Sequence, residues 1–352
     1  MSETMRAAVF EGEGRLVIGE RQVPASPGPG MALIRVRAAS ICGTDLHILE
    51  VPPGHPATPG VILGHEYAGE VVAVGSGVSH VRPGDHVVVD PNLRCGTCRY
   101  CQRGLANFCE NFSTLGIFQD GGFAPYNLAP AANLYPIAPH VPWEHAVFAE
   151  VLSCVVNGTR KIALHPGETA VVLGAGPAGL LFTQVLRAAG AGTIIVSELS
   201  PYRSEFARRS GADVVIHPGE ASPQPEVKRL TGGLGADVVI DAVGSLLGQA
   251  LDLVRPGGRV LLFGMNQEAV PPVRQNTITR NEIRVLGTYI ADHTFPAAIQ
   301  IIERGLLKLD ELITHRLGLK EIPGGIEALR RGQGMKVIID PQVARLAGGG
   351  GA

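Results

Sequence analysis

Cys95, Cys98, Cys101 and Cys109 stand in the run CGTCRYCQRGLANFC with spacing C-x2-C-x2-C-x7-C. Four thiolates this close in sequence make a complete tetrahedral zinc site, with zinc–sulfur bonds of about 2.3 Å. Gly96 and Gly104 allow the tight turns that curling around one ion requires. Two residues between successive cysteines suit a shared metal better than paired disulfides. With all four positions taken by protein, substrate has no place to bind, so this zinc is structural and any working metal lies elsewhere.

A second pattern points to a nucleotide. VVLGAGPAGL places Gly174, Gly176 and Gly179 in G-x-G-x-x-G spacing after an apolar run, with Pro177 opening the helical stretch that follows. Gly174 would make the tight turn, Gly176 would admit a pyrophosphate to the backbone, and Gly179 would let helix meet sheet. The phosphates would rest on the helix N-terminus, where free N–H groups and the dipole favour anions. The next apolar run, TIIVSE, ends in Glu198, where a ribose-binding acid belongs. Its carboxylate would bind the ribose hydroxyls and repel a 2′-phosphate, which favours NAD over NADP. Arg203 follows five residues on and could stack on adenine or hold a phosphate. A third set is scattered: Cys42 in SICGTDLH, His65 and Glu66 in GVILGHEYAGE, and Glu150 in EVLSCVVNG. Singly they read as a small core residue, a turn histidine and capping or solvated acids.

The elements that must position these groups follow from patterning. A chain of 352 residues suggests two domains. In the first stretch short alternating runs (MRAAVFE, ALIRVRAA, AGEVVAVG, DHVVVD) separated by Pro and Gly turns predict a compact β-barrel-like domain over residues 1–151, completed by 292–352. Between them, residues 152–291 alternate β-branched strands (TAVVLG, TIIVSE, DVVIH, DVVIDAV, GRVLLFG, EIRVLGTYI) with helical segments. That alternation predicts a doubly wound parallel α/β sheet of the Rossmann type. The apolar stretch from Ala170 to Leu186 contains three glycines, Pro177 and Gln184, so it reads as strand, turn and helix start rather than a membrane span. A net charge of −2 with no basic block gives no footprint for nucleic acid. The N-terminal run lacks the pattern of a signal peptide, and the cysteine usage suits a reducing, cytoplasmic location. The tail after Leu346, AGGGGA, reads as disordered.

GHEYAGEVVAVGSGV, then VRPGDHV, the four-cysteine loop, DGGFAPY and the nucleotide fingerprint occur in one order. In this the chain resembles the zinc-dependent medium-chain dehydrogenases/reductases, the alcohol and polyol dehydrogenase family, over nearly its whole length. The resemblance implies a GroES-like catalytic domain and two zinc ions per chain. Cys42 and His65 would bind the catalytic zinc with one or both of Glu66 and Glu150, an acid at the Glu150 position serving the metal or its water in the sorbitol-dehydrogenase-like branch. Simple alcohol dehydrogenases use a later cysteine, matching Ser153 or Cys154. Such a zinc acidifies an alcohol whose carbon gives a hydride to the nicotinamide, while Thr44 and His47 carry the proton away, His47 through the cofactor ribose.

The resemblance further implies a homo-oligomer, a tetramer rather than a dimer, acting on a small molecule without nucleic acid or membrane. Sorbitol-type enzymes hold substrate with a tyrosine and an arginine where this chain has Ile48 and Ile290, which implies a less polar pocket, with Phe118 and Phe295 as candidates for its wall. Threonine dehydrogenases carry D-P-F-G-N in the region of EVLSCVVNG, which disfavours that substrate. The expectation is oxidation of a secondary alcohol, polyol, cyclitol or sugar to the ketone. Oxidation of small secondary alcohols by a simple alcohol dehydrogenase is the nearest alternative. A non-catalytic family member is opposed by the joint presence of Cys42, Thr44, His47, His65 and Glu66.

Overall fold

The computed structural model describes residues 3–343, so the glycine-rich tail lies outside the described residues. The chain forms two compact units. The first comprises Met1–Val151, Phe295–Arg304 and Ile313–Ala352, and the second Leu152–Thr294 and Gly305–Leu312.

The first unit opens with the antiparallel hairpin of β1 (Thr4–Gly12) and β2 (Arg15–Gln22). β3 (Met31–Ile41) runs straight into the short helix α1 (Gly43–Ile48) and is followed by β4 (Glu66–Val74) and β5 (His86–Val89). The two-residue strands β6 (Asn92–Leu93) and β7 (Ser113–Thr114) pair across the base of the cysteine loop. β8 (Tyr126–Pro130), β9 (Leu134–Pro136), α2 (Trp143–Ala146) and α3 (Ala149–Ile162) complete the first pass.

The second unit alternates strand and helix: β10 (Thr169–Leu173), α4 (Pro177–Ala188), β11 (Thr193–Ser197), α5 (Pro201–Arg209), β12 (Val214–Ile216), α6 (Pro223–Leu230), β13 (Ala236–Asp241), α7 (Leu247–Leu253), β14 (Val254–Leu262), α8 (Gln275–Arg280) and β15 (Arg284–Gly287). All its strand pairs are parallel, in the order β12-β11-β10-β13-β14-β15. β10 is buried continuously after its first residue, as a strand covered on both faces must be. Val171, Leu173, Ile195, Val239 and Val260 form the centre of its core, each worth about 1.5–3 kcal/mol when fully buried. This is the doubly wound sheet that the alternating pattern predicts.

α9 (Phe295–Glu303), β16 (Ile313–Gly318), α10 (Ile322–Arg330) and β17 (Lys336–Asp340) return to the first unit. Its main sheet runs β16-β17-β3-β4-β5-β9, with β8 also on β3. The first half of β3 alternates half-buried and buried residues, and its last four are all buried. The strand therefore begins on a surface and ends inside the unit, where Cys42 follows. The pairs Ser40–Glu66 and Ile41–Val337 bring the head of β4 and the head of β17 to the two sides of that end.

The sequence reading gave all of 292–352 to the first domain. Residues 292–294 and Gly305–Leu312 belong instead to the second unit. Thr294 Oγ1 donates to Ser153 O at 2.7 Å, the Lys308 N–H donates to Gln184 Oε1 at 2.7 Å, and Arg209 meets Glu311 at 3.4 Å. Side-chain bonds of this kind leave no trace in strand and helix periodicity. Among the described residues no helix is long and apolar enough to cross a membrane.

Candidate active site and metal centres

Cys42 caps α1, and its N–H donates to Asp45 Oδ2 at 2.8 Å, so the turn out of β3 is fixed by the i+3 acid. Across the sheet, His65 ends the loop before β4 and Glu66 opens the strand. One ligand atom each from Cys42, His65 and Glu66 lies within 4.8 Å of the others. His65 and Glu66 are buried and Cys42 half-buried. His65 Nδ1 faces Asp45 Oδ1 at 3.7 Å, a charge contact longer than a hydrogen bond.

The charges here call for a cation. Burial, then Glu66, pushes the Cys42 thiol above its usual range. Burial works to lower the His65 pKa, but Cys42 and Asp45 outweigh it and hold it well above the ordinary value. Burial would likewise raise Glu66; Lys336 and His65 overcome it and keep the carboxyl below its usual range. Lys336, which opens β17, donates its Nζ to Glu66 Oε2, as does Ser40 Oγ, and its ammonium lies 5.2 Å from the Phe148 ring centre. Glu150 stands in the first turn of α3. It keeps some exposed surface but is surrounded closely enough that burial, opposed by His65, carries its pKa to about 7. A thiol, an imidazole and a carboxyl group at one buried point, with a second carboxyl group close enough to feel their charges, are a donor set that zinc fits, since a bound cation offsets the cost of burying their charged forms. Glu150 feels the charges of His65 and Glu66 but is not among the three residues whose ligand atoms converge.

α1 carries the two further candidates. The Thr44 hydroxyl lies 3.9 Å from Cys42 Sγ. His47 is exposed in the last turn, with Nδ1 held by Glu50 Oε1 at 3.0 Å. Phe295, a candidate for the pocket wall, is instead fully buried and stacked on Tyr135 at 5.2 Å.

The cysteine loop is a separate centre. Its four sulfurs lie within 4.8 Å of one another, with Cys95–Cys109 at 3.6 Å and Cys98–Cys109 at 4.0 Å. A tetrahedron with zinc–sulfur bonds of about 2.3 Å has edges of about 3.8 Å, which these distances bracket, whereas a disulfide needs about 2.05 Å. N–H groups already point at the sulfurs: Cys98 N to Cys95 Sγ and Cys95 N to Cys109 Sγ, both 3.3 Å. Hydrogen bonds from Thr97 bring the Cys95 thiol down to about 5, while burial pushes Cys101 up to about 12. Gly96 and Gly104 have φ of +71° and +75°, turns that residues with a Cβ rarely adopt.

In the second unit the nucleotide turn leaves β10 at Gly174, φ +94°. A Cβ on Gly176 would meet nothing within 4 Å, whereas one on Gly179 would lie 2.0 Å from Gly174 O. Gly176 thus leaves open space beside the turn, and Gly179 lets α4 pack on it. Gly176 caps α4, with Pro177 in its first turn. Glu198 is buried, and its two oxygens accept the N–H groups of Ala175 at 2.7 Å and Ser200 at 2.8 Å, which fixes the carboxylate beside the turn. Arg203 lies in the first turn of α5, its N–H donated to the Ser200 cap at 3.3 Å.

Sequence reasoning missed Asp45, Ser40 and Lys336. Asp45 had a signal, an acid three residues after a helix cap. Lys336 had another, a cation heading the apolar run KVIID that its fully buried setting makes unusual.

Residues 28–139 match the family described as alcohol dehydrogenase GroES-like domain, and residues 177–304 that described as zinc-binding dehydrogenase. An L-threonine 3-dehydrogenase of Pyrococcus horikoshii is 38% identical over 91% of this chain and 93% of its own. A D-altritol 5-dehydrogenase of Agrobacterium fabrum is 37% identical over 90% and 94%. Among solved structures, a zinc-binding dehydrogenase from Sinorhizobium meliloti bound to NADP superposes with a TM-score of 0.92 at 33% identity, covering 96% of this chain and all of that one. Threonine and polyol dehydrogenases match at the same level, so overall similarity does not separate the two substrate classes. With its GroES-like first unit, its doubly wound second unit and two side-chain clusters suited to zinc, the chain belongs to the zinc-binding medium-chain dehydrogenases, the oxidoreductase family that includes the polyol dehydrogenases.

Proposed function

We propose that this protein oxidises a secondary alcohol, in the polyol, cyclitol or sugar class, to the ketone, reversibly and with NAD. The observation that carries the reading is the convergence of Cys42, His65 and Glu66 within 4.8 Å at the end of β3, one helical turn from Thr44 and His47. Cys42, His65 and one or both of Glu66 and Glu150 would hold the zinc, with Asp45 orienting His65. Bound there, zinc supplies a Lewis acid that makes an alcohol proton easier to remove. Thr44 Oγ1 would accept that proton while passing its own hydroxyl proton on toward His47. With His47 Nδ1 occupied by Glu50, Nε2 is the atom that releases the proton to solvent. Lys336 and Ser40 restrain Glu66 and so keep one carboxylate from competing freely for the metal.

The choice of NAD rests on Glu198. A buried carboxylate fixed by two N–H groups would accept ribose hydroxyls and oppose a 2′-phosphate. The NADP-bound relative makes this a point to test. Reduced-cofactor absorbance is followed with NAD and NADP over a panel of small secondary alcohols, polyols, cyclitols, sugars and L-threonine, which is itself a secondary alcohol at C3. Turnover of polyols with NAD is the expected result. Activity confined to L-threonine overturns the polyol class, and a wild-type preference for NADP overturns the role of Glu198. Glu198→Ala should lose NAD use and gain relative NADP use, with Arg203 available to the phosphate.

A further inference from the structure

One face of α3 closes over the chain that leaves β15. Ser153, Asn157 and Lys161 recur every four residues, a single stripe of the helix. Thr294 Oγ1 donates to Ser153 O at 2.7 Å, Asn157 Nδ2 to Ile290 O at 2.7 Å and, at longer range, to Tyr289 O at 3.4 Å, and Lys161 Nζ to Gly287 O at 3.0 Å. The partners descend as the helix ascends, so residues 287–294 lie antiparallel along it. Within this stretch Ile290 has φ +41° and His293 φ +54°. Ile290 is the one β-branched residue in the left-handed region among the described residues. Such a conformation persists only where the surroundings hold it, and held strain clusters at ligand sites. Here the holding group is identified: the strained residue's own carbonyl is bonded by Asn157, a buried amide.

Two further observations place the stretch beside a ligand. Thr288 Oγ1 and Asp292 Oδ1 are buried with no hydrogen-bond partner, Asp292 facing only the His293 ring at 3.9 Å, so each has bonding capacity left for a further group. The stretch also begins at the carboxyl end of β15, and parallel sheets bind dinucleotides beyond the carboxyl ends of their strands, across the point where strand order reverses. That point is β10, with β11 and β12 on one side and β13, β14 and β15 on the other. The glycine turn after β10 and Glu198 after β11 take the adenosine half to the first side. The second half of the cofactor then lies toward β13–β15, where the strained stretch starts.

We infer that Asn157 is a positioning residue for the nicotinamide half of the cofactor: by bonding Ile290 O it holds residues 289–293 in the strained course against which that half is laid. The inference rests on the dinucleotide reading proposed above. Neither the glycine turn nor Glu198 takes part in it, so the two halves of the cofactor can be tested apart.

The experiment is calorimetric binding of NAD, with NADP in parallel, and of ADP-ribose, which lacks nicotinamide, to zinc-loaded wild type, Asn157→Ala, Ile290→Gly and the double variant. Asn157→Ala should weaken NAD about tenfold, or about 1.4 kcal/mol, and leave ADP-ribose within about twofold. In the Ile290→Gly background, where glycine adopts positive φ without strain, the same change should cost less than about threefold. If Asn157→Ala does not fold, Ile290→Gly alone carries the test, because it loosens the same stretch and should weaken NAD but not ADP-ribose. Equal losses for NAD and ADP-ribose, no loss for either, or the same cost of Asn157→Ala in both backgrounds each overturn the inference. Wild type that binds ADP-ribose, NAD and NADP not at all overturns the dinucleotide reading itself.

Discussion

The first unit holds two candidate metal centres of opposite construction. The cysteine loop draws four like ligands from residues 95–109, and each sulfur has its neighbours within 4.8 Å. The other draws unlike candidate ligands from the end of β3 and the head of β4, and borrows Lys336 from the head of β17. The first is a local knot that a metal completes. The second exists only when a sheet has formed, because Cys42 and His65 are brought together by the register of β3 on β4. A centre made for stability is thus closed and written in one place, while one made for chemistry keeps unlike groups and an open position.

The sharpest way to break this comparison is to remove one ligand from each centre. Cys42→Ser or His65→Ala should reduce turnover by on the order of a thousandfold or more, with the fold intact and ADP-ribose binding unchanged. Cys95→Ser should act in the opposite sense, with the melting temperature falling by more than about 10 °C because metal binding there is folding free energy. Zinc content measured on the same samples should fall from two per chain to one in each case, in keeping with the two ligand sets. Chelators should strip the Cys42–His65 centre first and leave the thiolate loop loaded. Normal turnover in the Cys42 variant, or an unchanged melting temperature in the Cys95 variant, would reverse the assignment of the two centres.

That contrast also explains what the sequence made legible. The four-cysteine spacing needs no tertiary structure to be read, and neither does G-x-G-x-x-G followed by an acid, since each is one local turn with one purpose. The central parallel strands stood out because burial on both faces leaves unbroken β-branched runs, as in TAVVL. The hairpin partner β2 did not, because its residues are mostly exposed and its apolar residues form one short run, LVI, beside a polar half. Cys42, His65 and Glu66 were recoverable only through a resemblance, since nothing in their separation along the chain says that they meet. Lys336 offered only a weak signal, a cation heading an apolar run, and neither route gave its partner. Its role comes from pairing with Glu66 across 270 positions, and the periodicity of its strand records only that the strand is buried. Residues 292–294 and Gly305–Leu312 were misplaced for the same reason, because isolated side-chain bonds, not patterns, assign them to the second unit.

A smaller effect sharpens the electrostatic side of the comparison. In zinc-stripped protein, burial raises Glu150 from an ordinary 4.5 to about 7. The folded state then binds this proton more tightly than the unfolded chain does. Its stabilising contribution is complete below about pH 4.5 and is lost as pH rises through about 7. Glu150→Gln mimics the protonated form. Against wild type it should therefore stabilise the stripped protein above pH 7 by up to about 3 kcal/mol and by nothing near pH 4. With zinc bound the sign should invert, because the cation favours the carboxylate, and the variant should bind the metal more weakly. Denaturant titrations of both proteins at several pH values, with and without zinc, decide the matter. A stability difference independent of pH would show that Glu150 is not the buried acid that this centre needs.

The smallest effect belongs to His47, which stands where the centre meets solvent. Its ring is exposed, its Nδ1 is tied to Glu50 at 3.0 Å, and it lies beyond Thr44 on a helix of six residues. A group in that position only passes on a proton that water can partly collect, so it should matter less than any ligand. His47→Ala should slow turnover about tenfold, leave zinc content and NAD affinity unchanged, and recover part of its rate with added imidazole or a small buffer base. Glu50→Gln should have a smaller effect in the same direction, since it loosens the ring without removing it. If His47→Ala were as damaging as His65→Ala, the proton would have no path to bulk water except through the imidazole. If buffer base gave no recovery, His47 would be acting on the fold of α1 and not on the proton. The two readouts together separate a residue that carries a proton from one that merely ends a helix.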